Sequence, residues 1–278
     1  MSKGTPIRIT VAVVVGAVVT IGVCCIWPVV ITAQAPESVF LEEMTWPEVR
    51  EALEAARTTV IIPTGGTEQN GLHMVLGKHN YLVRYKAGEI ARRLGDTLVA
   101  PVMAYVPEGD VNPPTSHMRF PGTITTPPDV FKRVLEFAAR SLVQHGFEDI
   151  ALLGDSGGNQ AGQQAVSEAL NIEWRDTPAR VHHLTEFYPG PGDAWLLDQG
   201  ETPEDVGSHA SIHDTASLLF LNPEMLRLDR LDSGVAGDGS GLIGNPSRST
   251  VEYGARILEM QIDAAVRQIR TLRDSSRR

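Results

Sequence analysis

Apart from Cys24 and Cys25 the chain has no cysteine. Everything beyond that pair must be held by packing, hydrogen bonds and charge, with no disulfide framework and no thiol chemistry. Bases are scarce as well: 24 Lys and Arg stand against 34 Asp and Glu, a formal charge of −10. So acidic a chain lacks the basic face that phosphate backbones require, and no nucleic-acid partner is expected. The arginines at 270, 273, 277 and 278 make a small basic tail that reads as a solvated helix end. No internal repeat and no low-complexity tract occurs, which excludes a repeat array.

Acids are missing entirely before Glu37. There, Lys3 and Arg8 precede an uncharged apolar run over residues 11–31, and Ala33-Gln34-Ala35 offers a small-x-small cleavage site with Pro36 directly after it. A basic start followed by an apolar stretch is the pattern of a secretory signal or a membrane anchor. Residues 1–35 are read as one or the other, and both place the rest of the chain outside the cytoplasm, in the periplasm or beyond the cell. Both cysteines fall inside this segment; Ile21-Gly22-Val23 ahead of them matches a lipidation signal poorly.

What remains, residues 36–278, is enough for one large domain with a well-buried core. Short β-branched or apolar runs at 58–62, 97–102, 149–153 and 180–184 alternate with amphipathic stretches at 46–56, 79–94, 128–145 and 160–170, and a further helix is expected over 251–270. This alternation predicts an α/β fold of three layers, α/β/α, with a mainly parallel central sheet. Residues 189–205, rich in Gly, Pro and acids, read as a long surface loop. Ligands of such folds bind beyond the carboxyl ends of the strands. The segments to inspect are therefore 63–80, 105–123, 154–159 and 207–217.

The first of these carries Glu68, His73 and His79 beside a Gly-rich turn, a carboxylate and two imidazoles of metal-ligand type or a polar loop with incidental histidines. In the second, His117 either lines a pocket or holds a turn. The third, Gly154-Asp155-Ser156-Gly157-Gly158-Asn159, matches the nucleophile motif of trypsin-like proteases. That match lacks its context: it follows a parallel-type strand, and a strand-to-helix turn is the simpler account. In the fourth, His209 and His213 would share one face if the stretch were helical, with Asp214 alongside.

Taken together these segments resemble the creatininase family over about residues 41–228. Glu42 to Val49 resembles the family's opening helix. Glu68 to His79 follows its Glu-Gln-His-Gly-Pro-His-Leu-Pro-Leu-Gly-Thr-Asp motif, keeping Glu68, Gln69, Gly71, His73, Leu76 and Gly77. His117 with Phe120 to Thr123 matches the next block. Gly154 to Asn159 stands for Asn-Gly-His-Gly-Gly-Asn, and His209 to Ala216 for His-Ala-Gly-x-x-Glu-Thr-Ser. The resemblance implies a hydrolase of cyclic amides or formamides, two adjacent divalent ions, a small-molecule substrate and a homo-oligomer, in the family a hexamer.

Yet among the family's metal ligands only Glu68 is unchanged. Asn70 replaces a His, His79 the bridging Asp, Ser156 a His with Asp155 beside it, and Asp214 a Glu. The expectation is accordingly one divalent ion, zinc or manganese, held by Glu68, His79 and Asp214. His209 then serves as catalytic proton carrier, Ser156 lines the reactive pocket, and His73, His117, Asp155 and His213 face the substrate. Two other readings stay open: a metal-free ligand-binding protein on the same fold, and a metal-free enzyme using Ser156 near a histidine.

Overall fold

The computed structural model describes residues 38–235 and 238–276. The segment read as a signal or anchor lies outside them. Among the described residues no helix is long and apolar enough to cross a membrane.

Four strands form one parallel sheet in the order β2-β1-β3-β4: β1 Thr59–Thr64, β2 Thr97–Val99, β3 Asp149–Gly154 and β4 Arg180–His183. Parallel strands are buried on both faces, and here the alternation divides the core in two. Val60, Ile62, Leu98, Ile150, Leu152 and Val181 pack with Phe131, Leu135, Ala139, Val166 and Leu170 of α3 (Pro128–Gln144) and α4 (Gly157–Glu173). Ile61, Val99, Ala151 and Leu153 pack on the other face with Val83, Ala87, Ile90, Ile262, Ala265 and Ile269 of α2 (Lys78–Leu94) and α8 (Val251–Ser276). Each such burial stabilises by about 1.5–3 kcal/mol. The three layers expected from the sequence are present. The opening helix α1 (Trp46–Glu54) starts on a capping box in which Thr45 and Glu48 bond each other's main chain.

Two stretches differ from expectation. Residues 189–205 contain α5 (Gly192–Asp198) and the one-turn α6 (Pro203–Val206). Their Gly and Pro content signalled loop, but Leu196 and Val206 are buried with Ile212 and Ile257, and Thr202 accepts from Asp205 N as a cap. Tertiary burial and capping outweigh local composition there. Likewise α7 spans Ile212–Leu221, so His209 lies before the helix and does not share a helical face with His213. His209 pairs instead with Ile243 in an isolated bridge, followed by Ala210 in the left-handed region at φ 53°.

Register places the chemistry. Thr64 of β1 lies opposite Gly154 of β3, so the chain leaves both strands side by side. One exit leads to Glu68, the other to Asp155 and Ser156, and the first residues of α2 sit against both.

Candidate active site

α2 starts at Lys78-His79 with no side-chain cap, and these first two residues are buried: Lys78 is 1% exposed and His79 3%. A helix N-terminus is a poor place for two cations, so carboxylates must hold them. His79 Nε2 meets Glu68 Oε1 at 2.9 Å and its Nδ1 meets Asp155 Oδ2 at 3.0 Å. Lys78 Nζ donates to Asp214, which also accepts from Ala210 N. Two helical turns beyond His79, Lys86 donates to Asp155 Oδ1 at 2.5 Å. Three carboxylates, Glu68 and Asp155 buried and Asp214 part-buried, thus each face a buried base of this chain.

These contacts set the protonation states. Burial opposes ionisation of Glu68, Asp155 and Asp214. The charges of His79 and Lys78 at Glu68, of Lys86 and His79 at Asp155, and of Lys78 at Asp214 outweigh it and hold all three below the usual carboxylate range. Burial and Lys78 oppose a proton on His79, but Glu68 and the bond to Asp155 raise its pKa. Glu108 goes the other way: burial and the charge of Glu68 push it up to about 10, so it is protonated and bonds Glu68. His209, pushed down to about 4 by burial and by Lys78, and His117, lowered chiefly by burial, are neutral imidazoles.

Both neutral rings stand over Glu68, their centroids 4.7 Å apart. His117 Nε2 lies 3.3 Å from Glu68 Oε2 and His209 Nδ1 3.9 Å from Glu68 Oε1. Gln69 orients the pair. Its Oε1 accepts from Gly71 N, which fixes the amide, and its Nε2 then donates to His117 Nδ1 at 3.0 Å. His209 Nε2 is 2.9 Å from the Gln69 carbonyl and 3.1 Å from the Gln69 amide nitrogen. The shorter contact needs the proton on Nε2, since two lone pairs at that distance repel.

The group forms the floor of a cavity of about 790 Å³. Ser156, Gly157, Gly158 and Tyr188 line one side, His213 and Asp193 another, and Arg119 the rim. His213 Nδ1 bonds Asp193 Oδ1 at 2.7 Å, and among the described residues its Nε2 has no partner.

A divalent ion fits one place in this arrangement. Glu68, His117 and His209 each offer a donor atom, all within 4.8 Å of one another, His209 through its bare Nδ1 and His117 through Nε2 once that nitrogen yields its proton. One ionised carboxylate with two neutral imidazoles is a common hydrolytic donor set. The His209 proton on a main-chain carbonyl is the outer-shell bond that ligating histidines usually make. A second ion does not fit, because Asp155 and Asp214 are already matched by Lys86, His79 and Lys78.

The expected residues are therefore brought together but redistributed. Glu68 stays central. His79 has both ring nitrogens committed to carboxylates and no lone pair for a metal, and Asp214 is taken by Lys78; neither joins the candidate donor set. His117 and His209, read as substrate-facing and proton-carrying, occupy those places. His73 is fully buried, its Nε2 bonded to Thr215 Oγ1, and Asp155 is enclosed by Lys86 and His79; neither lines the cavity. Ser156 does line it, but makes no hydrogen bond to a histidine, so a Ser–His nucleophile is not assembled. Lys78, Gln69, Glu108, Tyr188 and Asp193 were missed. Two signals were there to be read: Gln69 is kept in the family motif, and Lys86, also missed, stands seven residues from His79 on the same helical face.

The family model described as creatininase, creatinine amidohydrolase, matches residues 42–269 of the chain. Creatinine amidohydrolase of Pseudomonas putida is 24% identical over 204 residues, 70% of this chain and 76% of that protein. A mycofactocin precursor peptide peptidase of Mycolicibacterium smegmatis is 25% identical over 233 residues, 76% and 84% of the two. The solved structure of a manganese form of creatininase aligns with a TM-score of 0.73 at 22% identity, covering 84% of this chain and 98% of that one. That likeness bears on the fold.

Proposed function

The chain belongs to the creatininase family, and from that premise we propose that it is a hydrolase of a C–N amide bond in a small molecule, using one divalent ion held by Glu68, His117 and His209. One observation carries this reading: a carboxylate and two neutral imidazoles converge on the floor of a cavity large enough for a small ligand. When bound, a zinc or manganese ion supplies Lewis-acid polarisation of a carbonyl and brings the pKa of water toward neutrality.

The chain's own residues do the rest. Glu68 is kept ionised by His79 and Lys78. Gln69 holds both imidazole rings in place. Glu108 stays protonated against Glu68 and adds no charge. His213, oriented by Asp193, keeps the Nε2 lone pair free at the cavity, where it can take a proton from the attacking water and pass it to the departing nitrogen. Export supports an extracytoplasmic substrate; it is proposed on Lys3, Arg8 and the apolar run that follows, and recovery of the intact chain from the cytoplasm would count against it.

A second reading, a binding protein without metal, is favoured by one feature: the three carboxylates are already neutralised by Lys78, Lys86 and His79. Metal content separates the two. Protein purified without added metal, then equilibrated with zinc or manganese, is expected to hold close to one ion per chain, and Glu68→Gln to hold none. Absence of binding in the parent would sink the hydrolase reading.

A further inference from the structure

Part of the cavity wall is built from the start of α4. Its first main-chain N–H groups point out of a 17-residue helix with no intrahelical partner. Gly157 and Gly158 leave them uncovered. At Gly158 a Cβ would stand 2.4 Å from the Pro107 carbonyl, so the backbone approaches too closely for any side chain. The Tyr188 hydroxyl lies beside Gly157, 3.7 Å from where a Cβ there would stand. The N–H of Gly158 has no partner among the described residues.

Ser156 precedes the helix as its N-cap residue, yet its hydroxyl does not cap it. The side chain is only 5% exposed, lines the cavity, and makes no hydrogen bond among the described residues. The hydroxyl is reached from the cavity with its donor unspent, and a ligand oxygen at this point would take it up. Among the described residues the Tyr188 hydroxyl makes no hydrogen bond, so its proton remains to be given; burial pushes its pKa up and keeps that proton in place. At the rim, the Arg119 guanidinium has no ion pair among the described residues.

We infer that Ser156 Oγ, the Gly158 N–H and the Tyr188 hydroxyl form a subsite for a carboxylate group of the substrate, with Arg119 guiding it in. This rests on the cavity being the reactive site. The subsite adjoins that site through the chain: Asp155, next to Ser156, bonds His79, which bonds Glu68. Three donors suit the two oxygens of a carboxylate. A phosphate dianion would bring a third charged oxygen into a cavity that already holds Glu68 and Asp214. A neutral amide oxygen would draw little from a helix N-terminus, whose field favours an anion.

The test is a titration of the full chain labelled with ¹⁵N-glycine. It is run with chelator present and no divalent ion, so that it does not depend on metal binding. Acetate, inorganic phosphate and acetamide are compared at equal ionic strength. The Gly158 amide is expected to shift saturably with acetate, less with phosphate and not with acetamide. Ser156→Ala and Tyr188→Phe, which keep the shape of each side chain, should each weaken acetate about tenfold or more while leaving the other glycine signals in place. An unmoved Gly158 signal, equal affinity in Ser156→Ala, or an acetamide response matching acetate would overturn the subsite. A response to phosphate alone would overturn its assignment to a carboxylate. Failure of metal binding in the separate content assay would remove the hydrolase reading and leave this result standing.

Discussion

His209 Nδ1 faces Glu68 Oε1 across 3.9 Å, an imidazole lone pair opposite a carboxylate oxygen. Donor atoms sharing one ion, each about 2.0–2.2 Å from it, lie roughly 3–4 Å apart. The pair is thus spaced for a common cation, and the Gln69 carbonyl fixes the tautomer that leaves Nδ1 bare. His117 is less ready. Gln69 Nε2 donates to its Nδ1, which places its proton on Nε2, toward Glu68. Gln69→Glu supplies an acceptor in place of that donor, moves the proton to Nδ1 and frees Nε2. Zinc affinity is expected to rise by about 10–100-fold, the usual scale for outer-shell changes. Competition with a chelating dye measures it, and unchanged or weaker affinity would refute the tautomer assignment.

Lys78, 1% exposed, and Asp214, 21% exposed, form a part-buried ion pair in which each is the other's main compensation. Lys78→Met leaves Asp214 facing an apolar side chain. The expected loss is about 1–3 kcal/mol in urea unfolding, below the cost of stranding a fully enclosed charge because Asp214 keeps some solvent and the Ala210 N–H. Lys78→Met with Asp214→Asn together should recover much of it, because the asparagine can still accept from Ala210 N without a charge. Additive losses in the double variant would mean that the two residues act separately.

The fold was legible because strand-helix alternation is local: each β-branched run ends at a turn, and each helix carries its own apolar period. The site was legible only in its backbone placement. Glu68, Ser156 and His209 follow strands or precede helices, and Asp214 stands in the first turn of α7, in segments that topology gathers. Which side chain meets which was not legible. Lys78 and His79 are neighbours on α2, yet one pairs with Asp214 and the other with Glu68 and Asp155. That partition depends on how α2 and α7 approach in space, and no spacing in the sequence encodes it. The missed helices α5 and α6 have the same origin, since burial of Leu196 and Val206 against Ile257 is a contact between distant segments.

Acid stability has an identifiable contributor away from the site. Arg273 of α8 donates to both oxygens of Asp96, at 2.6 and 3.1 Å. Burial opposes the ionised form of Asp96, but the Arg273 hydrogen bonds and charge outweigh it and lower its pKa below the ordinary 3.8. A carboxyl lowered in the folded state contributes stability above its unfolded pKa and loses it as pH falls through the folded one. The parent should therefore be more stable than Arg273→Met at neutral pH, with the gap closing progressively below about pH 4. Urea unfolding across that range reads it. A gap independent of pH would assign Arg273 to packing alone.

The proton carrier is the part of the mechanism that mutation can isolate. His209 belongs to the candidate donor set, so its loss would confound metal binding with proton transfer. His213 does not: it bonds only Asp193, and its free Nε2 borders the cavity. His213→Ala should leave zinc content and fold intact and lower kcat by about 10²–10⁴-fold on whichever small amide the parent hydrolyses, the range for losing a positioned acid or base. Asp193→Asn tests the orientation. Its side chain can turn to present either a donor or an acceptor, so the imidazole survives while its tautomer is no longer fixed. A smaller fall in kcat with little change in KM is expected. If instead His213→Ala raises KM and leaves kcat alone, the ring binds the substrate without moving its proton, and the acid must be sought among the cavity's other titratable groups, of which Glu108 is already protonated.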